Sequence, residues 1–242
     1  MKRFLPFLLI LLVGAGAIAG GFLLYRAKRA DFAASPATSP NEQIGLPGAT
    51  PAHIRGGAKA SVTLEEFGDY QCPPCASLSV ILLKLEHDYG DKLRVVFRQF
   101  PLAMHNHAAE AARAAEAAGL QNKFWELHDT LYRDRNRWAA APDVGPIFAE
   151  YAGNLGLDVA RFQRDRETEK VKERIETDQK RARSIGVTST PTVFLNDHMV
   201  PPISVNETGL RKAIDDAIAG KPPAFLASPS PSPANTITLP IK

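Results

Sequence analysis

Two cysteines, Cys72 and Cys75, stand two residues apart where one hydrophobic periodicity gives way to another. Before them, Ser61 to Phe67 alternates apolar and polar residues, the period of a strand. After them, Leu78, Ile81, Leu82 and Leu85 recur at helical spacing up to Tyr89, and Gly90 can close the helix in a left-handed conformation. A strand that feeds a helix through so short a turn restricts the chain to folds in which a sheet carries helices on its faces. It also sets both cysteines at the start of the helix.

The rest of the chain fits that frame. Leu93 to Phe100 reads as a second strand, closed by Pro101. A long helical block follows. His107 to Ala118 is almost pure Ala, Glu and Arg, and Lys123 to Tyr132 is amphipathic through Phe124, Leu127 and Leu131. Asp158 is placed as an N-cap, with Leu157 and Phe162 spaced as a staple across it. Arg164 to Arg183 is charged with alternating sign and reads as a solvated helix face. Thr192 to Leu195 is a short strand that Asn196-Asp197 turns back into His198 to Val200. Asn206 caps a last helix through Leu210, Ile214 and Ile218 to Gly220.

Phe4 to Tyr25 is an apolar run of bilayer-spanning length. It reads as a transmembrane anchor within residues 1–30, with a cleaved signal segment as the alternative through Ala17-Ile18-Ala19. Residues 31–52 read as a disordered linker, residues 53–220 as the folded domain with a helical insertion at about 104–185, and residues 221–242 as a disordered Pro/Ser-rich tail. The net charge of +3 is local: the first thirty residues hold five basic residues and no acid, and the remainder has 24 basic against 26 acidic residues. The near-neutral domain gives no footprint for nucleic acid.

The chain has 2 cysteines, too few for a disulfide scaffold. A sulfur at a helix N-terminus lies among unpaired N–H groups that favour negative charge, which makes Cys72 the nucleophile and leaves Cys75, one turn further in, to resolve a mixed disulfide. Structural zinc would need a second ligand pair, and His105 and His107 could share a site only on extended backbone. A c-type haem would need His where Ala76 stands. No metal or cofactor is expected; the redox group is the Cys72–Cys75 disulfide itself.

Glu66 ends the strand with the parity of Val62 and Leu64, which points it into the core behind the cysteines. A buried acid there has a raised pKa and can exchange a proton with Cys75. Alternation sends its neighbour Glu65 to solvent. Thr190-Pro191-Thr192 stands at the start of a strand, where a proline is either trans in a loop or cis. A cis form leaves the Thr190 backbone free to pair with an extended peptide.

Taken together, Glu66, Cys72-Pro73-Pro74-Cys75, the helical insertion and Gly186 to Thr192 resemble the DsbA-type thiol–disulfide oxidoreductases, in the membrane-anchored or secreted bacterial branch that carries Thr-Pro-Thr. Phe124 to Asp129 is similar to that branch's insertion. The resemblance covers roughly residues 53–220. It implies a thioredoxin-like α/β fold, a central mixed sheet flanked by helices with an inserted all-helical subdomain. It implies Cys72 as attacking cysteine, Cys75 as resolving cysteine, Glu66 as buried acid, and Thr190 and cis Pro191 as the substrate rest. It also implies a place on the periplasmic or extracytoplasmic side, substrates that are unfolded or thiol-containing exported proteins, and a membrane redox partner. The best-known oxidases carry His just before the second cysteine. Here Pro73-Pro74 supplies no N–H donor, so a milder oxidant is expected. An oxidase is the first reading. A tethered reductase or isomerase (for example in cytochrome c maturation) and a chaperone-like binding module without enzymatic activity are the alternatives.

Overall fold

The computed structural model describes residues 45–226. The apolar segment Phe4–Tyr25 and most of the Pro/Ser-rich tail lie outside them. Among the described residues no helix is long and apolar enough to cross a membrane.

Five strands form one mixed sheet: β1 (His53–Gly56), β2 (Val62–Gly68), β3 (Leu93–Gln99), β4 (Thr192–Leu195) and β5 (His198–Met199), in the order β1-β3-β2-β4-β5. β2 and β3 are parallel, joined by helix α1 (Pro73–Tyr89), and the remaining pairings are antiparallel. β2 therefore lies at the centre of the sheet, and the chain leaves its carboxyl end directly into the cysteines. Asn196 and Asp197 form the β4–β5 turn at positive φ, as an Asn-Asp hairpin requires. β1 is not evident in the sequence. It is an edge strand whose Ile54 side is exposed, so its alternation carries no apolar signal.

Six helices stand between β3 and β4 among the described residues: α2 (Ala108–Gly119), α3 (Phe124–Arg133), α4 (Arg135–Trp138), α5 (Gly145–Asn154), α6 (Val159–Asp165) and α7 (Glu169–Ser184). The last long helix among the described residues is α8 (Glu207–Ile218). The expected caps are in place. The Asp158 side chain accepts from Arg161 N at 2.9 Å, and Asn206 Oδ1 accepts from Gly209 N at 3.0 Å. α1 and α8 pack on the β2 face that carries Val62 and Leu64. Phe67, on the opposite face, packs with Ala182 of α7, Phe194 and Phe100.

That second layer corrects two expectations. Glu65 does not face solvent, because α7 covers its side of the sheet. The carboxylate is buried and paired with Arg98 and Arg181. Nor is the charged segment through Arg183 solvated all round. Its inward stripe mixes Val171, Ile175 and Ala182 with Arg174, Asp178 and Arg181, of which Asp178 and Arg181 are buried. Helical periodicity was present, but ion pairs fill places that apolar residues usually take. Residues 45–52, read as the end of the linker, run along this same layer. Ala49 is buried, its N–H donates to Asp178 Oδ1 at 2.8 Å and its carbonyl accepts from Arg98 Nη1 at 2.8 Å.

Candidate active site

Cys72 is the N-cap of α1, with extended backbone (φ −73°, ψ 122°). Pro73 and Pro74 occupy the first two helical positions, where the missing N–H groups would have had no intrahelical partner. The Cys75 N–H is then the first backbone donor of the helix, and it is aimed at the Cys72 sulfur. Both cysteines are free thiols; Cys75 is fully buried and Cys72 is 4% exposed.

The two sulfurs differ sharply in acidity. Cys72 is lowered to about 6, first by the hydrogen bond from the Cys75 thiol, against the opposing effect of burial, and then by the Thr190 side chain and the Cys75 N–H. Cys75 is pushed far up, first by burial, then by its role as donor to Cys72 and by the charge of Glu66. One sulfur is a thiolate at neutral pH and the other holds its proton.

Glu66 reaches the interior as its parity requires. It is 1% exposed, and its Oε1 has no hydrogen-bonding partner in the protein. Its pKa is raised to about 8, first by burial and then by the Cys72 charge; Arg55 works in the opposite direction. The Thr190–Pro191 peptide is cis, and Cys72 Sγ lies 3.4 Å from the Thr190 carbonyl, to which it donates only when it carries its proton. The fold thus brings together Cys72, Cys75, Glu66, Thr190 and Pro191. His105 and His107 diverge: Nδ1 of His105 bonds Asp69 Oδ2 at 2.7 Å, whereas His107 bonds Glu110 and the Ala141 carbonyl. No group of three or more potential metal-ligating side chains occurs among the described residues.

Asp69 was not singled out from the sequence, yet it organises the turn. Its carbonyl accepts from Cys72 N at 3.1 Å, and its own N–H points to the Cys75 sulfur. Its buried carboxylate accepts from Gln71 N at 2.8 Å and from Leu102 N at 2.9 Å, besides His105. The Gln71 contact is an Asx-turn, a signal legible in Asp69-Tyr70-Gln71.

Beside the cysteines, Pro73, Pro74, Leu78, Ile81, Pro191 and Met199 line part of an open groove of about 760 Å³. It is apolar on its helix side and bordered by the backbone that carries Thr190.

A dithiol at a helix N-terminus, split in acidity and backed by a buried carboxyl group on a central parallel strand, defines a thiol–disulfide oxidoreductase of thioredoxin fold. The family model described as Thioredoxin matches residues 49–216. The chain belongs to the thioredoxin family, and its site is that of a thiol–disulfide oxidoreductase. Among solved structures it is similar to a thioredoxin-like oxidoreductase from Silicibacter pomeroyi, at 29% identity and TM-score 0.59, over 69% of this chain and 92% of that one. BdbD from Bacillus subtilis shares the fold at 21% identity and TM-score 0.63, over 73% and 99%. A curated relative, a Na(+)/H(+) antiporter NhaA 1 of Mycolicibacterium gilvum, is 34% identical over 191 residues, 75% of this chain but 30% of that protein. The chain thus spans less than a third of the length of this relative, and a match over three quarters of the chain lies mostly within residues 49–216.

Proposed function

We infer that the protein is an extracytoplasmic thiol oxidase that donates the Cys72–Cys75 disulfide to exported proteins. The observation that carries this reading is the stabilised Cys72 thiolate. Lowering the attacking sulfur to about 6 stabilises the dithiol relative to a pair of ordinary thiols, so the disulfide gives up its bond more readily to a substrate thiol.

The steps follow from the geometry. A substrate thiolate attacks Cys72 Sγ; the Cys72–Cys75 bond breaks as the mixed disulfide forms, and Cys75 leaves as a thiolate. Buried as it is, Cys75 takes a proton, and Glu66 is the acid behind it. A second substrate thiolate then attacks the substrate sulfur of the mixed disulfide. Cys72 leaves as the stabilised thiolate, and the substrate carries the new disulfide. The groove beside Pro191 receives an extended, apolar stretch of substrate, and Thr190 offers its backbone to that stretch. Reoxidation passes the electron pair taken from the substrate on to a membrane redox partner. A membrane anchor in the first thirty residues would hold the domain beside it.

The redox state of the Cys72–Cys75 pair in intact cells tests this. A pair trapped mainly as disulfide supports the oxidase. A pair kept mainly as dithiol overturns it in favour of a reductase or isomerase.

A further inference from the structure

Gly68 ends the central strand on the same face as Glu66, two residues on. A Cβ placed there would sit 2.4 Å from the Phe97 ring and 2.9 Å from the Tyr132 hydroxyl. The absent side chain is therefore what lets Tyr132, from α3 in the helical block, bring its hydroxyl down onto the sheet beside Glu66. The Tyr132 hydroxyl is buried and has no hydrogen-bonding partner in the protein, and the same is true of Glu66 Oε1. Two unpaired buried polar atoms, one on the strand and one reaching it from α3, are costly unless something joins them. The Tyr132 ring is fixed in place by Tyr70 at 4.9 Å and by the edge of His128 at 5.0 Å between centroids. Tyr70, Tyr132, Cys72 and Cys75 belong to one buried cluster. Apart from burial, the strongest influence on the Tyr132 hydroxyl is Cys75, followed by Glu66.

We propose that Tyr132 is a positioning residue for the proton exchange at Cys75, holding one buried water between Glu66 and the Cys75 sulfur. The inference rests on the reading of Glu66 as the proton partner of Cys75. The water accepts from the Tyr132 hydroxyl and from protonated Glu66, and donates to the Cys75 thiolate. When Cys75 leaves the disulfide, Glu66 gives its proton to the water as the water gives one of its own to sulfur. The reverse transfer occurs when Cys75 attacks during reoxidation. Tyr132 keeps its proton throughout, consistent with a hydroxyl pushed well above its ordinary value by burial. The charged and titratable groups around this point are Asp69, Tyr70 and both cysteines at the turn, Arg55 on β1, Glu86 on α1, and His128 and Asp129 on α3.

The experiment compares the full chain with Tyr132→Phe, Gly68→Ala and Glu66→Gln. The readout is the rate at which a mixed disulfide on Cys72 is resolved by Cys75, followed across pH. Tyr132→Phe removes only the hydroxyl. It should slow resolution about tenfold at neutral pH and move the alkaline limb of the profile, with the equilibrium constant against glutathione unchanged within about twofold. A merely structural tyrosine would leave the pH profile in place. Gly68→Ala, which pushes the hydroxyl away, should behave like Tyr132→Phe. If Glu66→Gln slows resolution while Tyr132→Phe matches the parent protein in rate and profile, the Tyr132 proposal is overturned and the Glu66 reading stands. If Glu66→Gln also matches the parent, the Glu66 reading fails and the inference with it. A high-resolution crystal structure with no water within hydrogen-bonding distance of both Tyr132 Oη and Glu66 Oε1 would equally overturn it.

Discussion

Arg181 grips Glu65 with two parallel bonds, Nε to Oε1 at 2.9 Å and Nη2 to Oε2 at 2.7 Å, on the face of the sheet away from the helix that carries the cysteines. Arg98 adds a third bond to the same carboxylate at 2.8 Å. Burial alone would raise the pKa of Glu65, but the hydrogen bonds from Arg181 and then Arg98 outweigh it and hold it low. Replacing Arg181 by Met leaves a buried carboxylate half-paired. The expected loss is about 3 kcal/mol of unfolding free energy at neutral pH. Because the folded pKa of Glu65 is depressed, its stabilising contribution is present above the unfolded value of about 4.3 and is lost as pH falls. The gap between parent and Arg181→Met should therefore narrow in acid. Urea unfolding of both proteins at neutral and acid pH measures it, and an equal gap at both would contradict the pairing.

Glu66 has the opposite sign. Its pKa in the folded protein is raised to about 8, against an unfolded value of about 4.3. Between those values the folded state holds a proton that the unfolded chain has lost, so stability falls as pH rises, by about 1.4 kcal/mol per pH unit from this group. Glu66→Gln cannot ionise. Its stability relative to the parent should climb steadily from about pH 5 to about pH 8 and level off beyond. A difference independent of pH would show that Glu66 is ionised in the fold.

These two neighbouring acids also show how far the sequence could be read. The parity of Val62, Leu64 and Glu66 put Glu66 inside, and the structure agrees. The same parity put Glu65 outside, because alternation separates two faces without saying whether the second is covered. What covers it is α7, whose inward stripe includes Arg174, Asp178 and Arg181 and so carries no apolar signature. The central strands, the helix after the cysteines, the hairpin at Asn196-Asp197 and the caps at Asp158 and Asn206 were legible because each depends on local chemistry. Asp69 and Tyr132 were not singled out. Asp69 acts through backbone groups of the turn, and Tyr132 looks like one more aromatic on an amphipathic helix until Gly68 is set opposite it.

The acidity of Cys72 depends first on the thiol of Cys75. Cys75→Ala removes that donor while leaving the backbone N–H of residue 75 and the Thr190 side chain in place. The Cys72 pKa should then rise from about 6 by about one unit or more, still short of an ordinary thiol. Thiolate absorbance followed across pH reads this directly. A value still near 6 would assign the effect to the helix N-terminus and Thr190 instead.

Pro73 and Pro74 leave the Cys72 sulfur with the Cys75 N–H as its nearest backbone donor from the helix. Replacing Pro74 by His restores an N–H at the second helical position, which has no intrahelical acceptor, and adds an imidazole beside the sulfur. Both favour the thiolate over the thiol. The Cys72 pKa should fall below 6, toward the value of about 3.5 reached by DsbA. A more stable thiolate means a less stable disulfide, so the equilibrium against glutathione should shift toward the dithiol by about tenfold for each unit of pKa gained, at pH values where Cys72 is ionised. The substitution loosens the helix start only slightly, because proline is favoured at the first position and position 73 keeps it. Thiol titration and glutathione equilibration of the same preparation give both quantities. A lowered pKa with an unchanged equilibrium would show that the disulfide form had been stabilised equally, and that the proline pair sets the thiolate without setting the oxidising strength.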